Sequence, residues 1–248
     1  MADQVAGIRW HDRVFVVGYT GSGKSEVLNF LFSGLRNQKL LLDTKPEFTI
    51  PDVPPVSRVK DIDWTAPVIH YRDLAGDLDE YDRLFYEAHH RRNFTICCHE
   101  VADLCEDQPN RAPKWVRMSL RKGNVFGNGQ LLGTQRPVGM PRQCRTEAQH
   151  VIHMVPALDP DDEDIVAKMM KVSVREMHDL LEQAIKLSPT GKFSAVWHDR
   201  RADATVLVPP LPDATRARIL VRRAVDLDSS VRHKAGEGST DGPVVDER

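Results

Sequence analysis

Residues 18–25, Gly18-Tyr19-Thr20-Gly21-Ser22-Gly23-Lys24-Ser25, match the pattern G-x-x-x-x-G-K-[ST] at every fixed position. The chemistry this spacing supports is phosphate binding. Glycines let successive backbone N–H groups turn inward toward phosphate oxygens, and the helix that follows adds the positive end of its dipole. In this reading all eight residues border a nucleotide, Lys24 reaches the β- and γ-phosphates of ATP, and the Ser25 hydroxyl takes a coordination position on Mg²⁺. Without a ligand, Lys24 is expected to face solvent.

Hydrolysis needs a group that orients the attacking water, and a Glu just past a strand beside the phosphate-loop strand can do this. Glu100 follows the apolar run Phe94-Thr95-Ile96-Cys97-Cys98 and His99. The competing reading makes Glu100 a surface residue opening a helix. His99 departs from the pattern, because an Asp before that Glu would support Mg²⁺ and a neutral imidazole brings no charge. Other groups have plainer readings. Cys97, Cys98, His99 and Cys105 invite a zinc site, but neighbours on a strand point to opposite faces and cannot share one ion. The run Asp161-Asp162-Glu163-Asp164 reads as carboxylates complementing a helix dipole rather than as a metal site. His89-His90-Arg91-Arg92 suits a helix C-terminus, with a DNA contact as the alternative. Trp10 reads as packing more readily than as a stacking platform for adenine.

The elements that must position these residues alternate. Strands are expected over 13–17, 39–43, 68–72, 94–98, 131–134 and 151–155, with helices over 25–36, 79–92, 159–170 and 173–186. Residues 192–198 and 205–208 read as a closing hairpin. The stretch 46–67 holds five prolines and reads as an irregular surface excursion. Strand–helix alternation of this kind implies an α/β fold with a mostly parallel sheet covered on both faces. The domain is expected to span 1–212, followed by a basic helix over 213–228 (Arg216, Arg218, Arg222, Arg223) and a polar, disordered tail over 229–248.

Composition narrows the function classes. The chain has 248 residues, and its 34 Lys and Arg offset 36 Asp and Glu to a net charge of −2. That balance argues against a generally basic nucleic-acid coat, though not against a basic channel formed on assembly. No apolar run approaches the roughly 20 residues of a membrane span, so no membrane role is expected. Residues 1–12 lack a secretory h-region. Four clustered cysteines do not make a disulfide framework, which points to the cytoplasm.

Three further segments resemble one family. Leu40-Leu41-Leu42-Asp43-Thr44-Lys45-Pro46-Glu47-Phe48 resembles the second-strand signature of the FtsK–HerA ATPases, an Asp-x-Lys-x-Glu-aromatic pattern after a hydrophobic strand. Leu131-Leu132-Gly133-Thr134-Gln135-Arg136-Pro137 resembles that family's strand ending in a polar pair, and Leu120-Arg121-Lys122-Gly123 resembles the basic turn before it. Gly191-Lys192-Phe193-Ser194 resembles a late Gly-x-Phe approach to a strand. The resemblance implies a RecA-like, three-layer P-loop NTPase core that assembles into a homo-oligomeric ring, hydrolyses ATP between subunits and moves double-stranded DNA through the pore. It makes Gln135 a polar sensor of the γ-phosphate. It also makes Arg121 the first candidate for an arginine acting from a neighbouring subunit, ahead of Arg117 and Arg136. So short a core is most like a viral genome-packaging ATPase that docks on a portal or capsid vertex protein in the host cytoplasm. The alternatives are a plasmid or conjugative DNA-transfer ATPase, and a nucleotide-binding assembly switch with weak hydrolysis, which His99 favours.

Overall fold

The computed structural model describes residues 4–5, 7–72, 76–105, 112–140, 142–216, 219 and 221–223. Two short strands, β1 (Gln4–Val5) and β2 (Ile8–Arg9), pair with each other and lead into β3 (Arg13–Val17). The phosphate loop follows, and then α1 (Lys24–Gly34), β4 (Gln38–Asp43), β5 (Phe48–Thr49), β6 (Val68–Arg72) and α2 (Leu78–His89). Next come β7 (Phe94–Cys98), α3 (Lys114–Lys122), β8 (Gly129–Thr134), α4 (Arg142–Glu147), β9 (His150–Met154), α5 (Pro160–Met169) and α6 (Val174–Ile185). The chain closes with β10 (Ala195–Asp199), β11 (Ala204–Val208), α7 (Asp213–Arg216) and β12 (Arg222–Arg223).

Eight strands form one sheet in the order β11-β10-β9-β3-β8-β7-β4-β6. From β9 to β6 every pairing is parallel, while β10 and β11 run antiparallel at one edge. Strands β3, β7, β8 and β9 are buried at every position, which is why Val14–Val17 and Ile96–Cys98 read as continuous apolar runs rather than as alternations. Alternate side chains still part to opposite faces. Val14 and Val16 pack with Leu28, Leu31 and Phe32 of α1, whereas Phe15 and Val17 join Leu84 and Phe85 of α2, Leu120 of α3, Val166 of α5 and Met177 of α6. Helices thus cover both faces, and the core is the α/β, three-layer, RecA-like sheet expected from the sequence.

Several expectations need correction. The strand bearing Glu100 is not beside the phosphate-loop strand, because β8 lies between β3 and β7. Leu120, Arg121 and Lys122 belong to α3, a helix the sequence reading lacks, rather than to a turn. Residues 46–67 are more than a surface excursion: Phe48, Ile50, Val59 and Ile62 are buried, and Val56 bridges Tyr71 at the sheet edge. The basic helix expected over 213–228 is not continuous among the described residues. Of the described residues there, Asp213–Arg216 is helical, and Arg222–Arg223 pairs antiparallel with Phe48–Thr49. Tertiary pairing overrides the helix propensity of an Arg-rich segment there. Residues 224–228 and the tail over 229–248 lie outside the described residues.

Candidate nucleotide site

Register explains how distant residues meet. Val17 pairs with Thr134 and Leu132 pairs with Cys98, so continuing both strands brings the phosphate loop, Thr134-Gln135 and Glu100 level at the carboxyl edge of the sheet. Crevices outside the carboxyl ends of parallel strands are where α/β sheets bind ligands.

The loop itself is shaped by its glycines. Gly23, at φ +94°, caps α1, and no side chain caps that helix, so its first N–H groups are left for a ligand. At Gly18 the constraint is space, since a Cβ would stand 2.6 Å from Ser22 Oγ and 2.7 Å from Met154 Cβ. Ser22 Oγ is itself buried and has no hydrogen-bond partner among the described residues, as expected of a cradle that an anion completes.

Lys24 departs from expectation. It is 7% exposed rather than solvent-facing. Its Nζ donates to the His99 carbonyl at 3.1 Å and stands 3.9 Å from Glu100 Oε2. Burial lowers the pKa of its ammonium below the ordinary lysine value, opposed by the Glu100 carboxylate. Lys45 and Glu47, on the loop after β4, also act on Lys24 electrostatically, which brings part of the Asp-x-Lys-x-Glu segment to the site.

Glu100 is buried and leads into a short 3₁₀ turn, Val101–Leu104, so it is not a surface residue. The Thr134 hydroxyl donates to its Oε1 at 2.6 Å. Gln135 accepts from the Thr20 hydroxyl at 2.9 Å, which joins the end of β8 to the tip of the loop. Tyr19 donates to Asp159 Oδ1 at 2.9 Å, tying the loop to the start of α5. Lys24, Glu100, Gln135 and the loop are therefore assembled. Arg121 is not among them: it is exposed near the end of α3 that leads into the start of β8, far along that strand from Thr134.

His99 turns away from the loop. Its Nε2 lies 2.7 Å from Asn29 Oδ1, one helical turn beyond Ser25, and its ring stacks on Phe48 with centroids 4.0 Å apart. Asp43 is also committed elsewhere, accepting from Arg72 Nε at 3.2 Å beside His70. Oxygen donors available beside the loop include the hydroxyl of Ser25, the second residue of α1, and the Glu100 carboxylate, 3.9 Å from Lys24 Nζ. With phosphate oxygens these suit a hard cation such as Mg²⁺, which needs few protein ligands.

Sequence reasoning missed Asn29 and the hydroxyl role of Thr134. Both lie one structural step from a motif residue and have no local signal of their own. All four cysteines are buried free thiols, and burial pushes those of Cys97 and Cys98 up. Among the described residues no His, Cys, Asp or Glu cluster is arranged for a metal. The acidic run opens α5, where Asp162 accepts from the Val138 N–H at 2.7 Å and Glu163 accepts from His178. Trp10 packs near Gly127, at the opposite end of β3 from the loop. No helix among the described residues is long and apolar enough to cross a membrane.

No family profile and no curated protein matches this sequence. Solved structures do. The DNA-packaging ATPase from Sulfolobus turreted icosahedral virus matches with a TM-score of 0.63 at 15% identity, over 82% of this chain and 98% of that one. The genome packaging NTPase from Sulfolobus turreted icosahedral virus 2, in complex with ATP-gammaS, matches with a TM-score of 0.63 at 15% identity over 81% and 98%. VirB4 of Thermoanaerobacter pseudethanolicus matches with a TM-score of 0.56 at 8% identity over 83% and 90%. The chain shares the RecA-like P-loop NTPase fold of these structures.

Proposed function

We propose that this chain is an ATPase that drives double-stranded DNA movement as a homo-oligomeric ring, in viral genome packaging. The observation that carries the ATPase reading is the convergence of Lys24, Glu100 and Gln135 on one loop from three separate elements. Lys24 leaves the His99 carbonyl to meet the β- and γ-phosphates. Glu100, oriented by Thr134, positions the attacking water, and Gln135 reports the γ-phosphate to the loop through Thr20. Ser25 and Glu100 would hold Mg²⁺, which when bound neutralises phosphate charge. Arg121, remote from its own loop and exposed, would serve a neighbouring subunit in such a ring.

The packaging reading rests on likeness to two viral packaging ATPases that this chain covers almost end to end. A portal or capsid vertex protein would then supply the docking surface. Likeness to VirB4 keeps a conjugative or plasmid DNA-transfer ATPase as the second reading. His99, turned to Asn29 and offering no charge to the metal, favours a third, the slow nucleotide switch. Turnover of purified protein with and without duplex DNA separates motor from switch. The motor reading expects DNA-stimulated hydrolysis that Glu100→Gln abolishes; binding of ATP with turnover indifferent to DNA would overturn it.

A further inference from the structure

The order of the sheet fixes how a nucleotide must lie across the loop. β8 and β7 flank β3 on one side and carry Thr134, Gln135 and Glu100 at their ends, so a γ-phosphate served by those groups sits on that side. The nucleoside must then leave on the other side, over the ends of β9 and β10. Two apolar side chains border the loop there. Met154, the last residue of β9, places its Cε 3.4 Å from where a Gly23 Cβ would stand. Phe193, just ahead of β10, places Cδ1 2.8 Å from that position and keeps its side chain only half-buried. Phe193 also holds φ at +66°, in the left-handed region that a bulky side chain rarely adopts. Gly191, two residues earlier, stands at φ +65°. This strained turn holds an aromatic ring at the rim of the loop instead of in the core.

We propose that Phe193 forms the nucleoside wall of the site and that its ring packs against the base of the bound nucleotide. The proposal rests on the phosphate-loop reading and adds to it the recognition of everything beyond the phosphates. An aromatic ring attracts the face of a base without reading its edge, so the contact supplies affinity rather than choice among bases.

Calorimetric titration of the wild type, Phe193→Ala and Phe193→Leu with ATP, and separately with inorganic tripolyphosphate, tests it. The expected result is that Phe193→Ala binds ATP about tenfold more weakly, Phe193→Leu falls between, and all three bind tripolyphosphate alike. Retained tripolyphosphate binding also shows that each variant keeps a folded loop, and leucine preserves bulk against Gly23 without a flat face. Unchanged ATP affinity in Phe193→Ala, or equal weakening of both ligands, would mean that the ring merely supports the loop, and would overturn the proposal. A wild type that binds neither ligand would overturn the phosphate-loop reading and the proposal with it.

Discussion

The Lys24–Glu100 pair offers the sharpest test of the resting site. At 3.9 Å, with both side chains less than a tenth exposed, the two charges attract by about 4 kcal/mol at an effective dielectric of about 20. Burial opposes this gain, since desolvation is the larger influence on Lys24 and leaves its ammonium easier to deprotonate than usual. A net coupling of about 2 kcal/mol is therefore expected from a double-mutant cycle of Lys24→Met and Glu100→Gln, read from denaturant midpoints without nucleotide. Each single variant strands one buried charge, whereas the double variant removes both and recovers much of the loss. A functional consequence follows. Nucleotide phosphates must draw Lys24 away from Glu100 and the His99 carbonyl, so Glu100→Gln should bind ATP roughly tenfold tighter or more while losing turnover. A coupling below about 0.5 kcal/mol, within the usual additivity of unlinked sites, would refute the pairing and return Lys24 to the solvent-facing state expected from the motif alone.

Other perturbations test separate parts of the structure. His153 is fully buried, and burial pushes its pKa down to about 4 against backbone hydrogen bonds at Met154 and His153 that raise it. The unfolded state binds the proton more readily, so stability is lost as pH falls from about 6.5 to about 4, by up to about 3 kcal/mol. His153→Leu should flatten that part of a pH series of thermal melts, and an unaltered slope would show that other groups cause it. His99→Gln should leave the Mg²⁺ dependence of turnover unchanged, because the imidazole already faces Asn29 and Phe48; a shifted Mg²⁺ midpoint would place the ring at the metal. Arg121→Ala should lose about a thousandfold in turnover and regain part of it when mixed with Glu100→Gln subunits, since one interface then combines both intact groups. Normal hydrolysis by Arg121→Ala at assembly concentrations would place the finger elsewhere.

What could be read in the sequence was whatever local chemistry determines. The phosphate loop is legible because backbone conformation itself requires its glycines, and β3 is legible because burial on both faces favours an apolar run, Val14–Val17. The helix α3 shows a weaker local signal, with Val116, Ser119 and Leu120 facing inward at helical spacing within Lys114–Lys122. Strand order has no such signal. Placing β8 between β3 and β7 depends on packing between segments far apart in the chain, and only that order sets Glu100 level with Thr134. Arg222 and Arg223 make the same point, because β5 decides that they are extended.

His99 shows where position in a motif stops predicting role. It follows the strand as a metal-supporting Asp would, yet its ring lies where Asn29 offers an acceptor and Phe48 offers a face. What His99 contributes toward the loop is its carbonyl, the oxygen to which Lys24 donates. A backbone carbonyl is supplied by any residue at that position, so loss of the usual side chain leaves the lysine's resting partner in place. The carboxylate paired with Lys24 at rest is that of Glu100, the same group proposed to orient water. Nucleotide arrival must break that contact, which frees Glu100 only when Lys24 has moved to phosphate. In the proposed mechanism the release of Glu100 is thereby conditional on an occupied loop, a coupling that residue types and spacing alone do not express.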